Sequence, residues 1–468
     1  MKKILTSVQP VNNYTVIHPA LDFWDGTAIV SVGCKWQENY SCLDYKGEEK
    51  SKEVAFTSIP YCIMSDGEKF RYNKQELANR SLFYSGKIEL PEKSRWTYED
   101  IDLFGKDKQS LSFPELFQLI GKEFEYYVDY IDTRYYALLA CFVIYTHFYP
   151  LFFNAPILQF WGEMRTGKTK NLSLLEAMCF NPVNSANISS ASVFRLTESR
   201  RATILFDESE DLMNSERSKE IRNMLLAGTG RSGETYRQEK GTDENFKTQA
   251  FKVFSPKVIA NIAGVDMPAL LSRIIRISTV ATKNREKDNR CVELEDNKWQ
   301  LIRNQLYRTC LSRHEEVVAA RDELKGNEGA ISGRTYYIWQ GILVIAKLAN
   351  ADIFQQLVEL AKENRDEIEA EIEDYNEEPQ KMVNSLLKLP LETKQLYTNE
   401  ELIEQLGIEF GILNSRELAV KLGKLGIKSK LRSYNKEYRR YYYIARDNIE
   451  KLKKVNPVEK VEKEPLPC

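Results

Sequence analysis

One stretch of the 468-residue chain has residue types and spacing suited to gripping phosphate: Gly162-Glu163-Met164-Arg165-Thr166-Gly167-Lys168-Thr169, a G-x-x-x-x-G-K-[ST] run. Its glycines let backbone N–H groups wrap phosphate oxygens, and a helix starting at its end adds the positive pole of its dipole. Lys168 would reach the β and γ phosphates of a nucleoside triphosphate, and Thr169 would offer a hydroxyl to Mg2+. A second run, Ala202-Thr203-Ile204-Leu205-Phe206, is apolar and ends in Asp207-Glu208. Asp207 would complete the Mg2+ shell, and Glu208 would orient or deprotonate the attacking water. Two acids after a strand can be plain surface. Following a phosphate loop in this order, they point to hydrolysis of the triphosphate and not to binding alone.

Both motifs need a strand to deliver them and a helix to receive the chain. Pro156 to Trp161 is a compact apolar strand directly before Gly162, and Asn171 to Met178 is a helical run directly after Thr169. From Ala155 to about Val280, short apolar runs alternate with helical segments, which predicts a mostly parallel sheet between helices. Residues 1–100 show short β-type runs at Thr27 to Val32, Glu53 to Phe56 and Tyr61 to Met64, with turn signals at Asp25-Gly26 and Ser65-Asp66-Gly67. They predict a β-rich or α+β domain of unassigned role. Residues 101–155 read as a helical collar or linker, 156–282 as the P-loop core, and 283–380 as a helical lid and acidic linker. Within the last, Glu363 to Glu378 holds nine Asp/Glu against Arg365, the pattern of a solvated helix or linker.

From these motifs onward the chain resembles the AAA+ ATPases, in particular the MCM-like and superfamily III-like helicases of phages, plasmids and integrated mobile elements. The resemblance spans roughly residues 110–350. Lys257-Val258-Ile259-Ala260-Asn261 resembles the sensor 1 strand, which implies that Asn261 helps position the lytic water. Leu271-Ser272-Arg273-Ile274-Ile275-Arg276 resembles the arginine-finger segment, which implies that Arg273 serves a neighbouring subunit. Arg334, opening a helix over Thr335 to Leu348, resembles the sensor 2 arginine. Before Asn261, Glu234 to Lys240 and Phe246 to Phe254 can pair as a hairpin about a turn near Gly241 to Asn245. The resembled helicases grip DNA in a ring's channel with such a hairpin, and here it brings Arg231, Arg237, Lys240, Lys247 and Lys252. Contacts of this kind hold phosphates without reading sequence. The segment between the P-loop helix and Asp207 leaves no room for the helix-2 insertion of cellular MCM proteins, so the mobile-element relatives are the better match.

Residues 381–455 predict a winged helix: a helix over Pro379 to Lys388, a short extended piece at Gln395 to Tyr397, helices over Glu400 to Leu406 and Arg416 to Leu425, and a hairpin over Lys428 to Tyr443. Asn399 and either Asn414 or Ser415 are the expected caps. From Arg416 to Arg446 ten Lys/Arg face two Glu, and Lys428, Lys430, Arg432, Arg439 and Arg440 lie on the hairpin. A helix-turn-helix with a basic wing suits duplex DNA. Residues 456–468 form a Pro/Lys/Glu-rich tail of disordered type.

Composition sets the limits. Sixty-six Lys+Arg against 68 Asp+Glu exclude a chain that is basic throughout, so any nucleic-acid affinity is local. Eight cysteines without a Cys-x-x-Cys pair, and three histidines, read as reduced cytosolic thiols and place the protein in the cytoplasm. Tyr135 to Phe153 approaches membrane-spanning length, but Thr146, His147 and Pro150 break it, and it reads as a buried helix. The expected whole is an ATP- and Mg2+-dependent DNA helicase, with a single strand in its channel and duplex on the winged helix. A finger acting in trans implies a closed homo-oligomer, most simply a hexamer. The alternative is an AAA+ initiator or regulator that assembles on DNA without unwinding it.

Overall fold

The computed structural model describes residues 13–43, 49–91, 94–185, 189–207, 219–240, 246–262, 264–265, 267–324, 331–391, 395–434 and 437–455. The chain divides into two compact units, Met1–Asp366 and Glu367–Cys468.

In the first unit, β1 (Thr15–Val16) precedes an antiparallel sheet of β2 (Leu21–Trp24), β3 (Thr27–Leu43), β4 (Glu49–Met64) and β5 (Lys69–Arg71), ordered β2-β3-β4-β5. Strand β1 pairs in parallel with β6 (Leu82–Phe83). The β2–β3 turn holds Asp25 and Gly26 at φ 41° and 72°, the left-handed geometry that an Asp-Gly pair supplies. The three short runs expected from sequence are parts of two long strands, which pair from Ile29↔Met64 to Cys42↔Ser51. Beyond Val32, β3 exposes Lys35, Gln37 and Asn39, so its outer half gives a weaker strand signal than the Glu53 to Phe56 run of β4.

A five-stranded sheet lies among helices farther along the unit. It comprises β7 (Ile157–Trp161), β8 (Pro182–Ser185), β9 (Thr203–Phe206), β12 (Lys257–Asn261) and β13 (Ile274–Ser278), in the order β13-β7-β12-β9-β8. Every pairing is parallel. Between β9 and β12, β10 (Glu234–Lys240) and β11 (Phe246–Lys252) form a separate antiparallel hairpin. Strands β7, β9 and β12 are almost wholly buried, as continuous apolar runs covered on both faces should be.

The helix Arg134–Thr146 is buried at every residue from Ala137 onward. Its cluster joins Leu21 and Val30 of the antiparallel sheet to Leu158 and Val258 of the parallel one, so both sheets share a core. Trp96 stacks on Tyr307 at 5.3 Å, and Arg308 pairs with Asp100 at 2.8 Å. No helix among the described residues is long and apolar enough to cross a membrane.

The unit boundary falls inside one long helix, Ala351–Leu386, which contains Pro379. The sequence predicts a solvated helix or linker over Glu363 to Glu378 and a fresh helix at Pro379; the acidic stretch is helical, and the same helix runs on through Pro379. Proline removes one backbone hydrogen bond there, and the residues on either side continue the ladder. The second unit then contains β14 (Leu396–Thr398), helices Asn399–Phe410 and Ser415–Lys424, and β15 (Ser429–Tyr434) with β16 (Glu437–Tyr443), in an antiparallel sheet ordered β14-β16-β15. Thr398, not Asn399, caps the first helix in a capping box with Glu401, while Asn414 caps the second. Leu402, Leu406, Leu418, Leu422 and Tyr442 belong to this unit's own core.

Helix Gly333–Ala349 meets Arg134–Thr146 so closely that a Cβ on Gly341 would lie 2.2 Å from Tyr145 Cε2. Gly341→Ala should therefore cost about 1–3 kcal/mol through overpacking, measurable by urea unfolding. A loss below about 0.5 kcal/mol would show that the helices part freely.

Candidate phosphate-binding site

Strand β7 lies between β13 and β12 and carries the chain into the loop at Gly162. The two loop glycines are needed for different reasons. A Cβ at Gly162 would sit 2.4 Å from Thr279 Oγ1 and 2.5 Å from Thr279 O. Gly167 instead takes φ 82°, the left-handed conformation, as does Arg165 at φ 62°. Alternation of this kind turns successive N–H groups toward one concavity. Thr166 Oγ1 donates to Glu163 O at 2.9 Å and pairs with Thr279 Oγ1 at 2.7 Å, which latches the loop to the end of β13. Glu163, Met164 and Arg165 are exposed.

Helix Lys168–Met178 starts at Gly167 with no side chain capping its N-terminus. Lys168 Nζ donates to Gly162 O and Glu163 O, both at 2.7 Å, so its charge spans the loop. Thr169 is exposed in the first turn. Asn171 Nδ2 donates to Gly167 O at 3.1 Å, and Tyr130 Oη donates to Asn171 Oδ1. At the other end Arg95 donates to Glu176 O, Ala177 O and Cys179 O at 3.1, 3.2 and 3.0 Å, and Arg303 donates to Ala177 O at 2.9 Å. Two guanidiniums thus meet the negative pole of the loop's helix. Burial, then the charge of Arg95, lowers Arg303 to about 10.

Parallel strands put the remaining sequence-predicted groups at known edges. Asn261 ends β12 in register with Trp161, and Asp207 directly follows β9, whose Phe206 pairs with Ile259. The loop, Asn261 and half-buried Asp207 thus share the carboxyl edge, where ligands of α/β sheets collect. Glu208 lies outside the described residues. The Asn261 amide is fully buried and engaged on both sides: Oδ1 accepts from Gln159 Nε2 at 2.9 Å, and Nδ2 donates to Gly264 O at 2.6 Å. Gln159 Oε1 in turn accepts from Arg276 Nε at 3.2 Å, and the Arg276 guanidinium lies 4.9 Å from the Trp161 ring centre.

Arg273 is at the opposite edge, just before β13, its carbonyl accepting from Ile157 N at 3.3 Å. Arg334 lies beside it and donates to Ser272 Oγ at 2.6 Å. Arg273 donates to Ala269 O, and partial burial with the Arg334 charge nearby holds it below the usual arginine range. Five residues of β7 separate this pair from the loop, on the order of 16 Å.

The β10–β11 hairpin pairs from Glu234↔Lys252 to Lys240↔Phe246, with its turn, 241–245, outside the described residues. Arg237, Lys240 and Lys247 belong to its backbone register; Arg231, just before it, is exposed. Phe251 anchors β11 on Phe194 of helix Ser190–Arg200 at 6.4 Å between rings. In the second unit Lys428, Lys430 and Arg440 are exposed, while Arg432 and Arg439 are cross-strand partners by backbone register.

Sequence inspection missed Thr279, Gln159, Arg276, Arg95 and Arg303. A signal existed for two: Gln159 and Arg276 are polar residues inside otherwise apolar strands.

No family model matches the chain, and no curated protein matches it. Among solved structures it is similar to SCCmec type IV Cch, described as an active helicase, at 11% identity and TM-score 0.33, over 95% of this chain and 100% of that chain. It is also similar to the C-terminal region of NrS-1 in an apo form (14%, TM-score 0.30, 83% of this chain and 95% of that chain) and to JCV helicase (13%, TM-score 0.22, 57% of this chain and 73% of that chain). At TM-scores this low the likenesses decide nothing about activity, and what the site can do is read from its own geometry.

Gln159→Leu would leave Asn261 Oδ1 and Arg276 Nε without this buried partner. It should cost about 2–6 kcal/mol, at about 1–3 kcal/mol per lost hydrogen bond to a buried group, measured by chemical denaturation. A loss under about 0.5 kcal/mol would mean that water or a shifted side chain takes over the relay.

Proposed function

We propose that the chain is an ATP-hydrolysing AAA+ motor that moves along and unwinds DNA, similar to the MCM-like and superfamily III-like helicases of mobile elements. One observation carries the reading. The phosphate loop, Asp207 and Asn261 share the carboxyl edge of a parallel sheet, whereas Arg273 and Arg334 share the amino edge. An arginine pair so far from its own loop can serve a phosphate only on another molecule. Contact between unlike edges is heterologous, and it closes into a ring, most simply a hexamer.

In this reading the positive-φ loop and the uncapped helix end hold the triphosphate by backbone N–H groups, and Lys168 turns from the carbonyls of Gly162 and Glu163 to the β and γ phosphates. The Thr169 hydroxyl and Asp207 carboxylate are hard oxygen donors of the kind Mg2+ accepts, and would hold it. When bound, that ion offsets charge on the phosphate oxygens. Glu208 takes the proton of the attacking water. Asn261 orients that water once it releases Gly264 O, and Arg273 with Arg334 stabilises the charge building on a neighbour's γ phosphate. The β10–β11 hairpin holds the translocated strand, with Arg231, Arg237, Lys240 and Lys247 on its phosphates. The second unit acts as a winged helix that holds duplex through Lys428, Lys430, Arg432, Arg439 and Arg440, an assignment supported by its two capped helices followed by a basic hairpin.

Lys168→Ala should abolish nucleotide binding, whereas Glu208→Gln should bind ATP and hydrolyse it at least about a hundredfold more slowly. Strand displacement on a forked DNA should stop in both. Normal hydrolysis by Glu208→Gln would remove it as the base, and wild-type protein that hydrolyses ATP without displacing a strand would favour an assembly factor over a helicase.

Arg273→Ala should keep ATP affinity and lose turnover, and mixing it with Lys168→Ala protein should restore part of the activity. In such mixtures an intact site can receive an intact arginine. No recovery at any ratio, with subunit exchange demonstrated by labelled protein, would exclude a role in trans.

A further inference from the structure

Lys257 opens β12 and is fully buried, an uncommon place for a lysine. Its three ammonium donors all go to backbone carbonyls: Gly228 O at 2.9 Å, Val253 O at 3.1 Å and Ser255 O at 2.8 Å. Those carbonyls belong to separate pieces of chain. Gly228 directly follows helix Lys219–Ala227, Val253 directly follows the hairpin strand β11, and Ser255 lies in the link into β12. Burial pulls the amine down to about 7, while three carbonyl acceptors favour its charged form. The chain leaves no slack around it, since a Cβ on Gly228 would lie 2.3 Å from Val253 O and 2.5 Å from Lys257 Nζ. The hairpin's other end joins the same cluster, because Val253 N donates to Gly233 O at 3.1 Å.

Strand β12 is where such a clip has most leverage. It pairs with β7, which delivers the phosphate loop, and with β9, which delivers Asp207, and it ends in Asn261 four residues on from Lys257. A five-residue strand hydrogen-bonded on both sides moves as one body, so displacement at its start reaches its end.

Resting on the helicase reading above, we infer that Lys257 is a positioning residue that fastens the base of the β10–β11 hairpin to the sensor strand, so that DNA held by the hairpin sets the placement of Asn261. It touches neither nucleotide nor DNA. Without the ammonium, the hairpin keeps its own seven-pair ladder and its Phe251 anchor, but it loses the three contacts that converge on Lys257, leaving the chain itself and the hydrogen bond from Ser255 N to Gly228 O at 3.3 Å at the start of β12.

The test compares ATP hydrolysis with and without single-stranded oligonucleotide in wild type, Lys257→Met, and the Arg237→Ala/Lys240→Ala double variant alone and combined with Lys257→Met. Lys257→Met should keep the DNA-free kcat and the KM for ATP, and lose DNA stimulation of kcat by about tenfold or more. In the double-variant background the same substitution should change stimulation no further, because both act on one route. Gly228→Ala, which crowds the same clip from its other side, should reproduce the kcat effect, and it carries the test if Lys257→Met fails to fold by circular dichroism. Undiminished stimulation in folded Lys257→Met, or a fall in DNA-free kcat as large as the fall in stimulated kcat, would overturn the inference and leave the helicase reading standing. Wild-type protein whose hydrolysis ignores DNA would overturn both.

Discussion

Strands that all run the same way give a sheet two chemically different edges, and the rest of the protein is arranged around that inequality. At the carboxyl edge backbone leaves the sheet into loops, and the phosphate loop, Asp207 and Asn261 gather there without any long-range device beyond register. At the amino edge the chain enters, and Arg273 and Arg334 sit there. The antiparallel sheet and the buried helix Arg134–Thr146 contribute to the same core, which holds both edges at fixed separation. In an assembly whose copies meet edge to edge, that separation would set the spacing of one copy's arginines from the next copy's phosphate.

Such a sheet is apolar by necessity, so each polar side chain inside it must find a partner. Gln159 does so twice, toward Asn261 and toward Arg276, and ties three adjacent strands, β13, β7 and β12, by side chains as well as backbone. Lys257 does so three times at the other end of β12. Strand β12 is therefore pinned by polar groups at both ends and by parallel ladders on both sides. Few elements of the fold are as well placed to carry a displacement without deforming.

What the sequence discloses is what contiguous residues can encode. The strand, loop and helix around Lys168 are one run of chain, and so are the strand leading to Asp207, the two strands of the β10–β11 hairpin and the helix start expected at Asn414 or Ser415. The hidden features join distant positions. Gln159 and Asn261 are 102 residues apart, and Arg303 reaches Ala177 across 126. Local pattern also misleads where burial is one-sided or absent: the outer half of β3 is too polar to look like strand, and Pro379 looks like a start although the helix is already under way. Glu208 is legible as a motif residue and lies outside the described residues.

The arginines behind the phosphate loop change what its helix is electrostatically. An isolated helix offers an anion about half a positive charge at one end, and sets about half a negative charge at the other. Over the 11 residues of Lys168–Met178 the poles are roughly 16 Å apart. With Arg95 and Arg303 seated on the terminal carbonyls, the far pole is offset by guanidinium charge, and the helix presents a single effective sign. Arg303 is buried and Arg95 half-buried, so salt screens them less than it screens fully exposed side chains. Ionic strength would then discriminate between the two anion contacts proposed for the protein: polyelectrolyte binding by the hairpin would weaken as salt rises, while the attraction of the loop at Gly162 to Thr169 for a phosphate would be better conserved.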